Sequence, residues 1–306
     1  MIFLKWRKNI RKKVKFEDVA DEWLEYKKNS IKESTYYEYL EIIEHKLKPE
    51  FKEKNIESIN DLNNFIQKLS KRYKPKTIRG IVTVLKTIFR YYEEEYDCNI
   101  KVKRIELPKT NKGKVEIFTK RETSRLKNYY AKTNDEKAIG ILISLYAGLR
   151  IGEICALQWK DIDFADRKIH ITKTAERVSN VITKKSKIMV STPKTQTSER
   201  NIPISTKLYD ILKNSKNKEN YYVLSGTEKV MEPRAYQNIY NNILRKNRIK
   251  HRKFHCLRHT FASNCIEVGM DAKSLSEILG HANVSTTLSI YVHSSDQIKK
   301  RYLEKL

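Results

Sequence analysis

Ala147-Gly148-Leu149-Arg150-Ile151-Gly152-Glu153 sets one arginine between two glycines at the end of the chain's longest nearly apolar stretch, Ile139 to Leu149. An isolated arginine at such a point reads as a cation beside helix-end carbonyls. The flanking glycines, and the fragments further along the chain, favour a functional side chain instead. Those fragments are Thr192-Pro193-Lys194-Thr195, His255-Cys256-Leu257-Arg258-His259, Leu279-Gly280-His281 and Leu288-Ser289-Ile290-Tyr291-Val292-His293. Together they supply a second arginine, a lysine, histidines and a tyrosine, a set suited to transferring a phosphodiester without a metal. The planar fork of arginine binds two phosphate oxygens and keeps its charge at any working pH. Two such clamps offset the charge of a pentavalent transition state. A lysine or histidine can protonate a departing 5′-oxygen, and a tyrosine hydroxyl can attack phosphorus to leave a covalent intermediate.

Outward from these fragments the apolar spacing is mostly helical. Upstream, helical intervals run through Phe16 to Tyr26, Tyr36 to Leu47, Ile59 to Leu69 and Pro75 to Tyr96. Thr35-Tyr36-Tyr37-Glu38 is a capping-box sequence that would open the second of these. The fourth is the cleanest, with Ile78, Ile81, Val82, Leu85, Ile88, Phe89 and Tyr92 in one stripe. The expected first domain therefore covers 16–99, after a basic tail over 1–15. The pattern breaks over 100–114, where six Lys/Arg, one Glu, Pro108 and Gly113 suggest a basic linker lying along phosphate. Downstream, Thr119-Lys120-Arg121-Glu122 is a second capping box, followed by helical spacing over 119–130 and 135–147. From Ile162 to Ile204 β-branched alternation predicts three short strands, and helical spacing returns near 234–249, 257–268, 273–279 and 285–291. The second domain, 115–306, should be mainly α with a small antiparallel β-sheet. Residues 296–303 would form a short amphipathic helix with Ile298, Tyr302 and Leu303 on one side, suited to docking on a neighbouring protomer or to packing on its own domain.

Charge defines the partner class. Of 306 residues, 63 are Lys or Arg and 37 are Asp or Glu, giving a formal net charge of +26. The surplus is spread: residues 1–114 carry 28 basic and 18 acidic groups, and residues 115–306 carry 35 and 19. Both halves could face one polyanion, and nucleic acid is the default. An apolar content of 39% provides material for a core and argues against disorder. No apolar run approaches the ~20 residues that span a bilayer and no secretory signal is apparent, so a cytoplasmic protein without membrane contact is expected. Cys98, Cys155, Cys256 and Cys265 are scattered without a Cys-x-x-Cys pair and read as reduced core residues. His251, His255 and His259 recur at every fourth position, but no carboxylate completes a metal site and Arg258 on the same helix would repel a cation. Neither a metal nor another cofactor is expected.

Over nearly its whole length the chain resembles the tyrosine recombinase (phage integrase) family, most closely integrases of phages and conjugative transposons. The resemblance implies a helical SAM-like core-binding domain and a tyrosine recombinase catalytic domain, closing around duplex DNA as a two-domain C-shaped clamp. By the same resemblance Arg150 and Arg258 would be the phosphate-binding arginines, with Glu153 supporting the first. His255 would be a general acid/base, Lys194 the hairpin lysine that protonates the leaving 5′-oxygen, His281 a transition-state donor and Tyr291 the nucleophile. A 3′-phosphotyrosyl intermediate, strand exchange through a Holliday junction, a homo-tetramer on two double-stranded DNA sites and an accessory bending or directionality factor are also implied. The expected role is integration and excision of a mobile element. Rival readings are a Xer-like resolvase, a catalytically inactive DNA-binding regulator of the same fold, a type IB topoisomerase and a metal nuclease. Many such integrases carry a further N-terminal arm-binding domain, whereas helical patterning here begins by Phe16. Either the element uses a simple recombinase or that domain is missing from this chain.

Overall fold

The computed structural model describes residues 14–109, 115–192, 196–291 and 303–304, without the side chains of residues 196 and 289–291. The chain forms two compact units, Met1–Gly113 with Val178–Lys187, and Lys114–Arg177 with Ile188–Leu306.

The first unit contains α1 (Phe16–Lys28), α2 (Glu33–Ile42), a π-helical turn (Ile43–Leu47), α3 (Lys48–Phe51), α4 (Asn63–Ser70) and α5 (Pro75–Tyr96). Pro75 begins α5 where a missing N–H costs nothing, and Asp97 ends it in the left-handed region at φ 52°. The expected stripe is buried as one face, from Ile78 to Tyr92. It packs against Phe16, Trp23, Ile43, Leu62 and Phe65 in a single core. Thr35-Glu38 does not cap α2. The preceding turn ends early enough for the helix to begin at Glu33, whose carboxylate suits a helix N-terminus, so Thr35 falls inside the helix. Likewise α4 begins at Asn63 rather than Ile59, because the Asp61 side chain accepts the Asn63 N–H and holds the chain in a turn. Residues 100–109 are fastened to this unit: Ile100 is buried, Lys103 N–H donates to the Asn60 carbonyl, and Asn63 bonds the backbone of both Arg104 and Glu106.

The second unit is mainly helical, with α6 (Lys120–Thr133), α7 (Ile139–Ala147), α8 (Ile151–Ala156), α9 (Thr206–Asn214), α10 (Pro233–Lys246), α11 (His255–Glu267), α12 (Ala272–Leu279) and α13 (Val284–Tyr291). The Thr119 box forms as read, with its hydroxyl accepting from Glu122 N–H and Glu122 accepting from Thr119 N–H. Helix α9 has no counterpart in the sequence reading. Instead of three strands, five are found among the described residues: β1 (Ile162–Asp163), β2 (Lys168–Ile171), β3 (Thr174–Ser179), β4 (Ser186–Ser191) and β5 (Arg200–Pro203). The division has a local cause, since Asp163 accepts from the N–H groups of Ala165 and Asp166 and turns the chain after two strand residues. Strands β1, β2 and β5 form an antiparallel sheet in that order, while β3 pairs with β4. In the larger sheet Ile171 pairs with Arg200 and Ile169 with Ile202, which buries the isoleucines in the helical core. Among the described residues no helix is long and apolar enough to cross a membrane.

Candidate active site

Two helix ends build the site. Helix α7 stops at Gly148, whose φ of 68° is left-handed, and the chain re-enters α8 with Arg150 in extended geometry just before it. An ideal Cβ on Gly148 would lie 2.5 Å from Phe261 Cδ1, so glycine is required both for its conformation and for close packing. Helix α12 ends at Gly280, also left-handed at φ 63°, with His281 next. The guanidinium of Arg258, fully buried on α11, joins the two ends, with Nη1 donating to the Gly148 carbonyl (2.9 Å) and Nη2 to the Leu279 carbonyl (2.5 Å). Arg150 Nη2 donates to the Gly280 carbonyl at 3.1 Å. Of the expected site residues, Arg150 and Arg258 thus meet at the same pair of helix ends, and His281 directly follows the second.

Glu153 anchors that network. Its carboxylate accepts from Arg150 Nη1 (2.6 Å), Arg150 N–H (2.9 Å), Arg200 Nη1 (3.1 Å) and Arg200 Nη2 (3.0 Å). Burial would raise its pKa, but Arg200 and Arg150 override that and hold it down at about 2. Arg200 is the site residue that sequence reading missed as a functional position. Its side chain is only 6% exposed, although basic residues are seldom buried unless paired.

The histidines respond to the same positive field. His255, first residue of α11, remains exposed by surface area, yet loss of hydration and the nearby His259, Arg258 and Arg150 push its pKa down to about 4. Partial burial, Arg258, Arg150 and Arg200 likewise lower His281 to about 4. Its Nδ1 lies 2.8 Å from the hydroxyl of buried Thr287. The His255 and His259 rings meet edge to face at 4.5 Å. Among the described residues no group of three or more His, Cys, Asp or Glu is placed to hold a metal ion. Lys194 lies outside the described residues, between β4 and β5 in the chain. Tyr291 is the last residue of α13, but its side chain is also outside the description, as is the expected tail helix over 296–303 apart from Leu303.

The profile of the phage integrase family matches residues 116–298, and that of the phage integrase N-terminal SAM-like domain matches residues 15–70. The chain belongs to the phage integrase family. A XerC-like tyrosine recombinase of Caldanaerobacter subterraneus is 30% identical over 260 residues, which cover 76% of this chain and 66% of that protein. The transposase of transposon Tn916 from Enterococcus faecalis is 30% identical over 184 residues, or 54% of this chain and 43% of that protein. The chain therefore spans less than two thirds of either relative. Its fold matches the solved structure of the Tn1549 transposon integrase in complex with transposon right end DNA, at a TM-score of 0.77 and 22% identity over 96% of this chain and 99% of that one.

Proposed function

We propose that this phage integrase family chain is a tyrosine-type site-specific DNA recombinase that integrates and excises a mobile element. It acts in the cytoplasm on double-stranded DNA, as a tetramer over two sites, with an accessory DNA-bending or directionality factor. The observation that carries this reading is the convergence of Arg150, Arg258 and His281 on two glycine-ended helix termini, with His255 on the first turn of α11 within the field of the two arginines. In the proposed reaction the Tyr291 hydroxyl attacks the scissile phosphorus and gives its proton to His255, which is neutral at pH 7. A Tyr–O–P bond forms, the bond from phosphorus to the 5′-oxygen breaks, and Lys194 protonates that oxygen. Arg150 and Arg258 bind the non-bridging oxygens, and Glu153 orients Arg150. Arg258 has no exposed surface, so its engagement with a phosphate requires local opening around it. With the Thr287 hydroxyl donating to Nδ1, His281 carries its proton on Nε2 and donates it to the developing charge. Attack by a 5′-hydroxyl from a second duplex reverses the step and joins the strands.

The test is a labelled duplex nicked beside the scissile phosphate, so that the cleaved end diffuses away. Wild type should give a slow band on denaturing electrophoresis that protease collapses, while Tyr291→Phe should give none and still bind the duplex. A band of equal intensity from the variant would transfer the nucleophile's role to another residue.

A further inference from the structure

Arg200 holds a place that the proposed chemistry leaves unexplained. It begins β5, six residues after Lys194 in the chain, and it is one of the few basic side chains to be buried. Three of its nitrogens are committed: Nη1 and Nη2 clasp both oxygens of Glu153, Nε donates to the Ile278 carbonyl at 2.5 Å, and Nη1 also reaches the Ser198 carbonyl at 3.0 Å. Its Cδ and Nη1 pass 3.1 Å from where a Cβ on Gly280 would stand, so glycine there also makes room for this guanidinium. The carboxylate it clasps is the one that holds Arg150 by both its backbone N–H and Nη1.

We propose that Arg200 is a positioning residue of this active site, which fixes the Arg150 guanidinium through Glu153 and ties the strand following Lys194 to the end of α12. The inference rests on the cleavage reading above and deepens it. Arg150 is about one-third exposed on a long stem, and among the described residues the Gly280 carbonyl and Glu153 restrain its fork. Glu153 can hold it only while ionised. The charged groups in contact with that carboxylate are Arg150, from the turn before α8, and Arg200, from β5; His255 and His281 adjoin through the field of Arg150. Without Arg200 one cation remains against a buried carboxylate, and burial favours its protonated form. A lysine could restore the charge, but not two parallel bonds to the carboxylate together with a third to a carbonyl.

Two variants and two readouts test this. Arg200→Met keeps the bulk of the stem, and Arg200→Lys keeps the charge. On the nicked duplex both should bind DNA within about threefold of wild type and form the covalent product on the order of 10–100-fold more slowly, the scale set by small misplacements of a reacting group. Arg200→Met should also acquire an acid limb in its pH–rate profile that disappears in Arg200→Met/Glu153→Gln, which a purely structural role would not produce. Independently of activity, nitrogen-15 NMR of labelled arginines should show rotation about the Arg150 Nε–Cζ bond faster in Arg200→Met than in wild type, with the resonance identified by its loss in Arg150→Lys. Unchanged rotation, or wild-type cleavage at every pH in a folded Arg200→Met protein, would overturn the inference. Absence of covalent product from wild type would instead refute the cleavage reading, and the NMR comparison would still decide the role of Arg200.

Discussion

Replacing Glu153 by glutamine isolates the charge at the centre of the network. Both residues have the same shape, but the amide presents a donor where the carboxylate accepts four hydrogen bonds from Arg150 and Arg200. One half of the amide would therefore face N–H groups, and Arg200 would be left buried beside a neutral side chain. The magnitude follows from linkage. A carboxyl held near 2 when its ordinary value is 4.5 contributes about 3 kcal/mol at neutral pH, at 1.36 kcal/mol per unit. Breaking a buried ion pair from one side costs a similar ~3–5 kcal/mol. For a unit of roughly 150–250 residues, at about 2–4 °C per kcal/mol, the transition should fall by roughly 6–12 °C at pH 7. Because the folded pKa is depressed, the contribution is fully present above pH 4.5 and is lost as pH falls toward 2, so the melting curves of wild type and Glu153→Gln should converge over that interval. Calorimetry of the full chain between pH 3 and 7 measures both quantities. A shift below about 2 °C at pH 7, or a difference that does not change with pH, would refute the assignment of Glu153 as an ionised buried anchor.

Two further outcomes follow from the same structure. Gly148→Ala forces a Cβ to 2.5 Å from the Phe261 ring at a left-handed φ, and should lower stability by about 2–4 kcal/mol in a denaturant titration; a loss under about 1 kcal/mol would mean that the α7 end relaxes freely. Duplex DNA affinity should fall about 10³-fold or more between ~50 and ~200 mM salt, as expected for six to ten phosphate contacts, and a nearly flat dependence measured by fluorescence anisotropy would remove the charge surplus from the binding account.

The sequence was most legible where local pattern and burial agree. The α5 stripe and the Thr119 box are both local signals, and each appears at the residues read. Helix α11 was harder to delimit, because Arg258 and Thr260 share its buried face with Leu257 and Ala262. Burying polar groups weakens the apolar period by which a helix is recognised. Arg200 was invisible as a site residue for a different reason. It is one of 63 basic residues, and what distinguishes it is a partner 47 positions earlier in the chain. That contact depends on the pairing of β5 with β2 and on the approach of α12, neither of which leaves a mark near residue 200. Of the strands the sequence reading did not separate, β1 is two residues long and ends in a turn set by a single aspartate, too short for alternation to register.

The two glycine-containing fragments then prove to be one physical device used twice. A helix ending in a left-handed glycine leaves its last carbonyls without intrahelical partners, and these carry the partial negative charge of the helix C-terminus. In α7 the Gly148 carbonyl receives Arg258; at the end of α12 the carbonyls of Ile278, Leu279 and Gly280 receive Arg200, Arg258 and Arg150 respectively. Three guanidinium groups are thereby collected at these helix ends, two of them on the carboxylate of Glu153, with helix-end carbonyls supplying the remaining acceptors. A second carboxylate would balance the charge more completely, but it would also compete with a phosphodiester for the same forks. Carbonyl dipoles fix arginines while leaving the net charge of the cluster strongly positive. Loss of hydration, with that residual charge adding to it, lowers the pKa of both His255 and His281 to about 4, so both are neutral at pH 7, one able to accept a proton and the other to donate a hydrogen bond as an anion arrives. Gly148 and Gly280 thus bear on the chemistry through geometry: each sets a helix end whose carbonyls, and not further acidic side chains, hold the cations in place.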